Sequence, residues 1–326
     1  MRFLWFFIIW VSCNAIEACD PLSIAQSFLK EQGLNLSFSE LPGLTNKNYL
    51  FSGHNTIRYV IRIPGYATDL FIDRESERKN SIRAFNCGFN PARIVCFDIR
   101  NGTQITTYVE ESTQLPFQDL YKKEMVCRVA HLLKRLHSSK INFQNRVDIF
   151  QKLEKLIDLL KKQNTVFPSG FYLLQQKMEE MKQYLSSPFF EQLPSHGDPV
   201  PSNFILVSGE LMLLDWEHSG LNDPAWDLAL LSCVVNYSNE MDQWLIQYYN
   251  LEETSLLYKK MLFFKPIIEY WLGTWGLLQV LVKETVTEKD FFIYFSSSRF
   301  AKGQRYMDQL EFQEFLQFLK EKKYEN

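Results

Sequence analysis

His196-Gly197-Asp198-Pro199-Val200-Pro201-Ser202-Asn203, followed by Leu213-Leu214-Asp215-Trp216-Glu217, is the stretch whose reading decides the fold. It has the form H-x-D-x-x-x-x-N and then an apolar run ending in Asp. Phosphoryl transfer needs a carboxylate beside the attacking hydroxyl, and oxygen ligands that hold Mg²⁺ on the phosphates of ATP. Asp198 suits the first task. Asn203 and Asp215 suit the second, because Mg²⁺ takes hard oxygen donors. Between them lie Phe204-Ile205-Leu206-Val207, a Ser208-Gly209 turn and Leu211-Met212-Leu213-Leu214. That pattern predicts two short buried strands joined by a tight turn, which would carry Asp215 back beside Asn203. Turn capping would explain Asp198 or Asn203 singly, but not the order of all three.

The same order of parts runs through protein kinases: a catalytic-loop Asp, an Asn five residues on, and a metal-binding Asp after a short hairpin. The expected class is therefore α+β, a two-lobed protein-kinase-like fold with a small antiparallel-sheet N-lobe and a mostly helical C-lobe. With 326 residues the chain is long enough for two cores.

Upstream, Asn48–Ser52 and Tyr59–Ile63 read as a strand pair around Gly53-His54-Asn55, and residues 72–85 as a charged helix. Two further strands, 93–97 and 104–109, flank Asn101-Gly102, which predicts a type I′ turn. Helices are expected at 21–32, 120–136, 147–162 and 171–185, and again from Asp227 onward. The junction of the lobes falls near Val109-Glu110-Glu111. This gives an apolar signal-like segment at 1–18, a nucleotide-binding lobe at 19–110 with Glu110 at its edge, and a catalytic and substrate lobe at 111–326. A nucleotide would lie in the cleft between them.

The nucleotide end has its own candidates. Gly43-Leu44-Thr45-Asn46-Lys47-Asn48 precedes the first strand pair, and such a loop can cover phosphates through backbone N–H groups, Thr45 and Asn46. By itself it is also an ordinary turn. Arg62 holds the strand position where kinases place a phosphate-gripping cation, with Glu77 as its helix partner and Glu75 as second choice. Asp223 and Asp227 read as helix-start carboxylates. His196 orients the loop beside Asp198, and His54, His131, His137 and His218 follow no metal-ligand pattern.

A net charge of −3 offers nothing to a nucleic acid. The six cysteines form no C-x-x-C pair, which argues against a zinc site and fits reduced thiols in a cytoplasmic enzyme. Met1-Arg2, the apolar run from Phe3 to Val11 and Ser12-Cys13-Asn14-Ala15 have the layout of a signal peptide, so export is the alternative localisation. The run is too short for a stable membrane span.

These residues together resemble the choline/ethanolamine kinase family, in its bacterial choline kinase branch, and more broadly the aminoglycoside phosphotransferase-like kinases. The likeness runs from about Leu41 to Arg299. It rests on the Gly43–Tyr49 loop, Tyr59-Val-Ile-Arg-Ile-Pro-Gly65, the helix from Ile72, the His196–Phe204 loop, Asp215-Trp-Glu217 and Asp223-Pro-Ala-Trp-Asp-Leu-Ala229. Trp271-Leu-Gly-Thr-Trp-Gly-Leu-Leu-Gln279 is similar to the family's choline-pocket helix, and Tyr294 resembles a later pocket Tyr. The resemblance implies ATP- and Mg²⁺-dependent phosphorylation of a small alcohol, choline above others. Trp275, Trp271 and Tyr294 would offer aromatic faces to a quaternary ammonium, and Glu217 a carboxylate. Plain core packing is the other reading of these aromatics. A kinase of ethanolamine, thiamine or an aminoglycoside, or a non-catalytic kinase-like binding protein, are the alternatives.

Overall fold

Alternation of apolar and polar residues along short strands builds the first unit. The structure, a computed structural model, describes residues 37–41, 43, 45–52, 58–250, 252 and 254–324. The signal-like segment, the helix expected at 21–32 and the Gly53-His54-Asn55 turn lie outside them. The chain divides into two compact units, residues 1–112 and 113–326.

In the first unit, β1 (Ser37–Leu41), β2 (Lys47–Ser52), β3 (Arg58–Ile63), β4 (Ile94–Phe97) and β5 (Gln104–Thr107) make one antiparallel sheet in the order β1-β2-β3-β5-β4. Tyr49 pairs with Ile61, and Ile61 with Ile105. With Phe51 these residues form the core of one sheet face, and Tyr59 stacks on Phe51 at 5.6 Å. Each fully buried Ile or Phe contributes roughly 1.5–3 kcal/mol. Strand periodicity sends the next residue of each strand to the other face, and there Asn48, Arg62 and Gln104 lie in register. Helix α1 (Arg74–Asn86) starts at Asp73, whose carboxylate accepts the Glu75 N–H at 3.1 Å.

One turn differs from expectation. Only Gly102 of the Asn101-Gly102 pair has a positive φ (80°), so the turn is not type I′. The side chains of Asp98 and Asn101 instead accept the N–H groups of Arg100 (2.9 Å) and Thr103 (2.8 Å), and Gly102 N–H closes on the Asp98 carbonyl at 2.7 Å. Side-chain acceptors thus replace the two-residue turn with a longer loop.

The second unit opens with β6 (Ser112–Gln114) and continues through α2 (Lys123–His137), α3 (Ile149–Lys162) and α4 (Ser169–Lys182). Helices α2 and α3 each bury one stripe, for example Val129, Leu132, Leu133 and Leu136 on α2. Strand β7 (Leu193–Ser195) pairs with β10 (Gly220–Asn222), and β8 (Phe204–Val207) with β9 (Glu210–Leu213). Then follow α5 (Pro224–Val235), α6 (Asn239–Tyr249), α7 (Thr254–Val282), α8 (Val286–Met307) and α9 (Leu310–Tyr324). Helix α7 is apolar on nearly every side because α3, α5, α8 and α9 all pack around it. Among the described residues no helix is long and apolar enough to cross a membrane.

Candidate active site

The β8–β9 hairpin sets the geometry. Ser208 (φ 49°) and Gly209 (φ 85°) both take positive φ, as a two-residue hairpin turn requires. Phe204 therefore pairs with Leu213, and Leu214 N–H donates to the Asn203 carbonyl at 2.8 Å. Asp215 follows directly, half-buried and itself in the left-handed region at φ 60°. The hairpin thus returns Asp215 toward Asn203, as its sequence implies.

On the catalytic loop, Asn203 Nδ2 donates to the main-chain oxygen of Asp198 (2.9 Å) and to its Oδ2 (3.2 Å). The Asn203 Oδ1 is not used in these two bonds. Asn203 Oδ1 and the Asp215 carboxylate are hard oxygens of the kind Mg²⁺ accepts. Asp198 is half-buried, and burial, then the charge of Glu217, pushes its carboxyl up to about 7 against the Asn203 hydrogen bond.

His196 is fully buried with both ring nitrogens committed. Nε2–H donates to the Leu214 carbonyl (2.9 Å) and Nδ1 accepts the Asp198 N–H (3.3 Å). The ring meets Trp216 edge-on at 4.7 Å, and burial lowers its pKa. It orients the loop and has no nitrogen left with which to carry a proton.

Asp227 does more than the helix-start role its sequence position implies. The cap of α5 is Asp223, which accepts Ala225 N–H (2.9 Å), Glu191 N–H (2.8 Å) and Lys260 Nζ (3.1 Å). Asp227, one turn on, points back at the catalytic loop and accepts His196 N–H (2.8 Å) on Oδ2 and Gly197 N–H (2.9 Å) on Oδ1. His137 donates to the same Oδ2 at 3.0 Å and accepts from the Tyr249 hydroxyl at 2.9 Å. Trp226 Nε1–H caps the Gly197 carbonyl at 3.1 Å. Gly197 has φ 80°, and a Cβ there would overlap the His218 carbonyl, so this position needs glycine.

In the first unit, buried Arg62 on β3 is bonded to Glu77 of α1, which also takes Arg74 Nη1 at 2.8 Å. Two guanidiniums thus share the Glu77 carboxylate, which fixes the Arg62 side chain on its strand. Asn46 is buried and its Oδ1 accepts the Gly65 N–H at 3.1 Å, bracing the loop from within, while Thr45 is half-buried. Exposed Glu110 is paired with Arg58, whose guanidinium stands 4.1 Å over the Tyr108 ring. Its side chain takes part in that exposed ion pair.

The aromatic candidates separate. Trp271 is buried and meets the His218 ring edge-on at 6.0 Å, one residue from half-buried Glu217. Trp275 packs on Phe292 (5.8 Å) and Phe295 (6.1 Å) of α8. Tyr294 is 74% exposed. On α8 the buried positions include Phe292, Ser296 and Phe300, and helical periodicity turns residue 294 away from them. Tyr294 therefore lies apart from the buried stripe of α8.

This fold and loop geometry define a protein-kinase-like fold. The chain matches the Choline/ethanolamine kinase family profile over residues 41–255. It belongs to that family, whose members transfer phosphoryl groups to an alcohol. It is 32% identical over 224 residues to Protein LicA of Haemophilus influenzae, a match covering 66% of this chain and 63% of that relative's length. Two solved structures share the fold. The choline/ethanolamine kinase family protein from Mesorhizobium loti has a TM-score of 0.73 at 24% identity, over 92% of this chain and 99% of that one. The choline kinase LicA from Streptococcus pneumoniae has a TM-score of 0.73 at 23% identity, over 86% and 98%.

Proposed function

We propose that this protein phosphorylates the hydroxyl of choline at the expense of ATP and Mg²⁺. The observation that carries the reading is the clamp of Asn203 on Asp198, with the β8–β9 hairpin returning Asp215 toward the same loop. Asp198 accepts or orients the hydroxyl proton. Asn203 Oδ1 and Asp215 would hold the metal, which supplies charge neutralisation on the phosphates when bound. Arg62 and the 43–48 loop would hold those phosphates. Glu217 and Trp271 would face the trimethylammonium, which binds through aromatic faces and a carboxylate because it has no N–H to donate. Protein LicA and the LicA choline kinase structure support choline as the alcohol.

A primary ammonium alcohol such as ethanolamine is the second reading, favoured by the outward Tyr294, which leaves fewer aromatic faces. The test is ADP release from the purified protein with Mg-ATP and a panel of small alcohols. Release with choline above all others supports the first reading, and release with ethanolamine the second. Nucleotide binding without release for any alcohol would leave a non-catalytic binding protein.

A further inference from the structure

A lysine outside every motif reaches the catalytic surface. Lys152 lies near the start of α3, half-buried, with Nζ 3.3 Å from His218 Nδ1. Trp271 packs on the same imidazole, and the His218 main chain lies against Gly197, next to Asp198. The amine is thereby placed where the Asp198 loop meets the segment after Asp215. Its charge acts on both Glu217 and Asp198. Burial draws the amine's own pKa down to about 8 against the pull of those carboxylates, so it remains mostly protonated at neutral pH.

A lysine held there only to brace an imidazole would be a costly choice, since a neutral donor does the same without burying a charge. Nor does an ammonium help a cationic alcohol, whose head would be drawn to Glu217 and repelled by Lys152. The two facts agree if the lysine serves the other end of the acceptor. Transfer turns a neutral hydroxyl into a phosphate ester with about two negative charges, and that charge grows only along the reaction. An ammonium has three donors, and the contact to His218 uses one.

We propose that Lys152 is a phosphate-contacting residue on the acceptor side of the site, donating to the phosphoryl group as it arrives on the acceptor oxygen. This rests on the small-alcohol kinase reading. In the step, the bond from phosphorus to the ADP oxygen breaks, the bond to the alcohol oxygen forms, and the hydroxyl proton goes to Asp198. Lys152 keeps its protons throughout.

The experiment compares the full chain with Lys152→Met and Lys152→Arg in two measurements. One is steady-state kinetics with the alcohol the unaltered protein turns over best. The other is calorimetric binding of the phosphorylated alcohol without nucleotide or metal. Lys152→Met should lower kcat by about tenfold or more, leave KM unchanged or lower it, and weaken product binding by about tenfold. Lys152→Arg should keep product binding. The proposal is overturned if KM rises at constant kcat, if product affinity does not change, or if both variants lose activity alike with a lowered melting temperature. An unaltered protein that turns over no alcohol overturns the kinase reading and the proposal with it, a result distinct from an active enzyme indifferent to Lys152.

Discussion

Asn203 turns its amide nitrogen onto Asp198, 2.9 Å from the main-chain oxygen and 3.2 Å from Oδ2. One side chain therefore steadies the carboxylate and presents its own oxygen elsewhere. Asn203→Ala should lower kcat by about a hundredfold or more, and raise the Mg²⁺ concentration needed for half-maximal rate. Rates measured against Mg²⁺ separate the two effects. A variant with reduced kcat but unaltered metal dependence would remove Asn203 from the metal assignment.

The pH profile follows from Asp198. A base works when ionised, and burial together with Glu217 holds this carboxyl up at about 7. Expected kcat/KM rises with pH through about 7 and, because Lys152 acts as an ammonium, falls again above about 8. Glu217→Gln removes the neighbouring negative charge, so the acid limb should move to lower pH. An acid limb that stays in place would show that Glu217 does not act on Asp198.

Asp227 is the anchor of the catalytic loop. Asp227→Asn would turn an N–H₂ toward amide donors that now find acceptors, at a cost of roughly 2–4 kcal/mol. Chemical denaturation should show that loss, and kcat should fall by more than the unfolded fraction explains. The comparison is Asp223→Asn, which disturbs the helix cap and not the loop.

The two tryptophans of α7 should behave differently. Half-buried Trp275 lies among Phe292 and Phe295, so Trp275→Ala should cost about 1–3 kcal/mol of stability, with a small effect on substrate affinity. Trp271→Ala should raise the KM for a quaternary ammonium by about tenfold or more. Thermal melts and KM values on both variants decide this, and equal KM effects would dissolve the distinction.

The catalytic loop and hairpin were legible because their parts are local: five residues from Asp198 to Asn203, and a turn that Ser208-Gly209 can make. Arg62 and Glu77 were legible for a similar reason, since strand and helix follow one another closely. Asp227 does lie in the first turn of α5, as its sequence position implies, but nothing local shows that it also points back at residues 196 and 197. Lys152 left no trace in the sequence, because a lysine near a helix start is common and its meeting with His218 depends on packing across the unit. The exposure of Tyr294 could not be read from residue type, which says nothing about helical phase.

Asp215 sits in the left-handed region, which among ordinary residues only glycine, asparagine and aspartate enter readily. Two of the few replacements the backbone accepts there, glycine and asparagine, take the negative charge with them. If Asp215 holds the metal as proposed, a single codon change at this position would silence phosphoryl transfer without straining the backbone. The passage from enzyme to pseudoenzyme is conformationally open here, and a descendant of this chain could keep its nucleotide grip long after losing its chemistry.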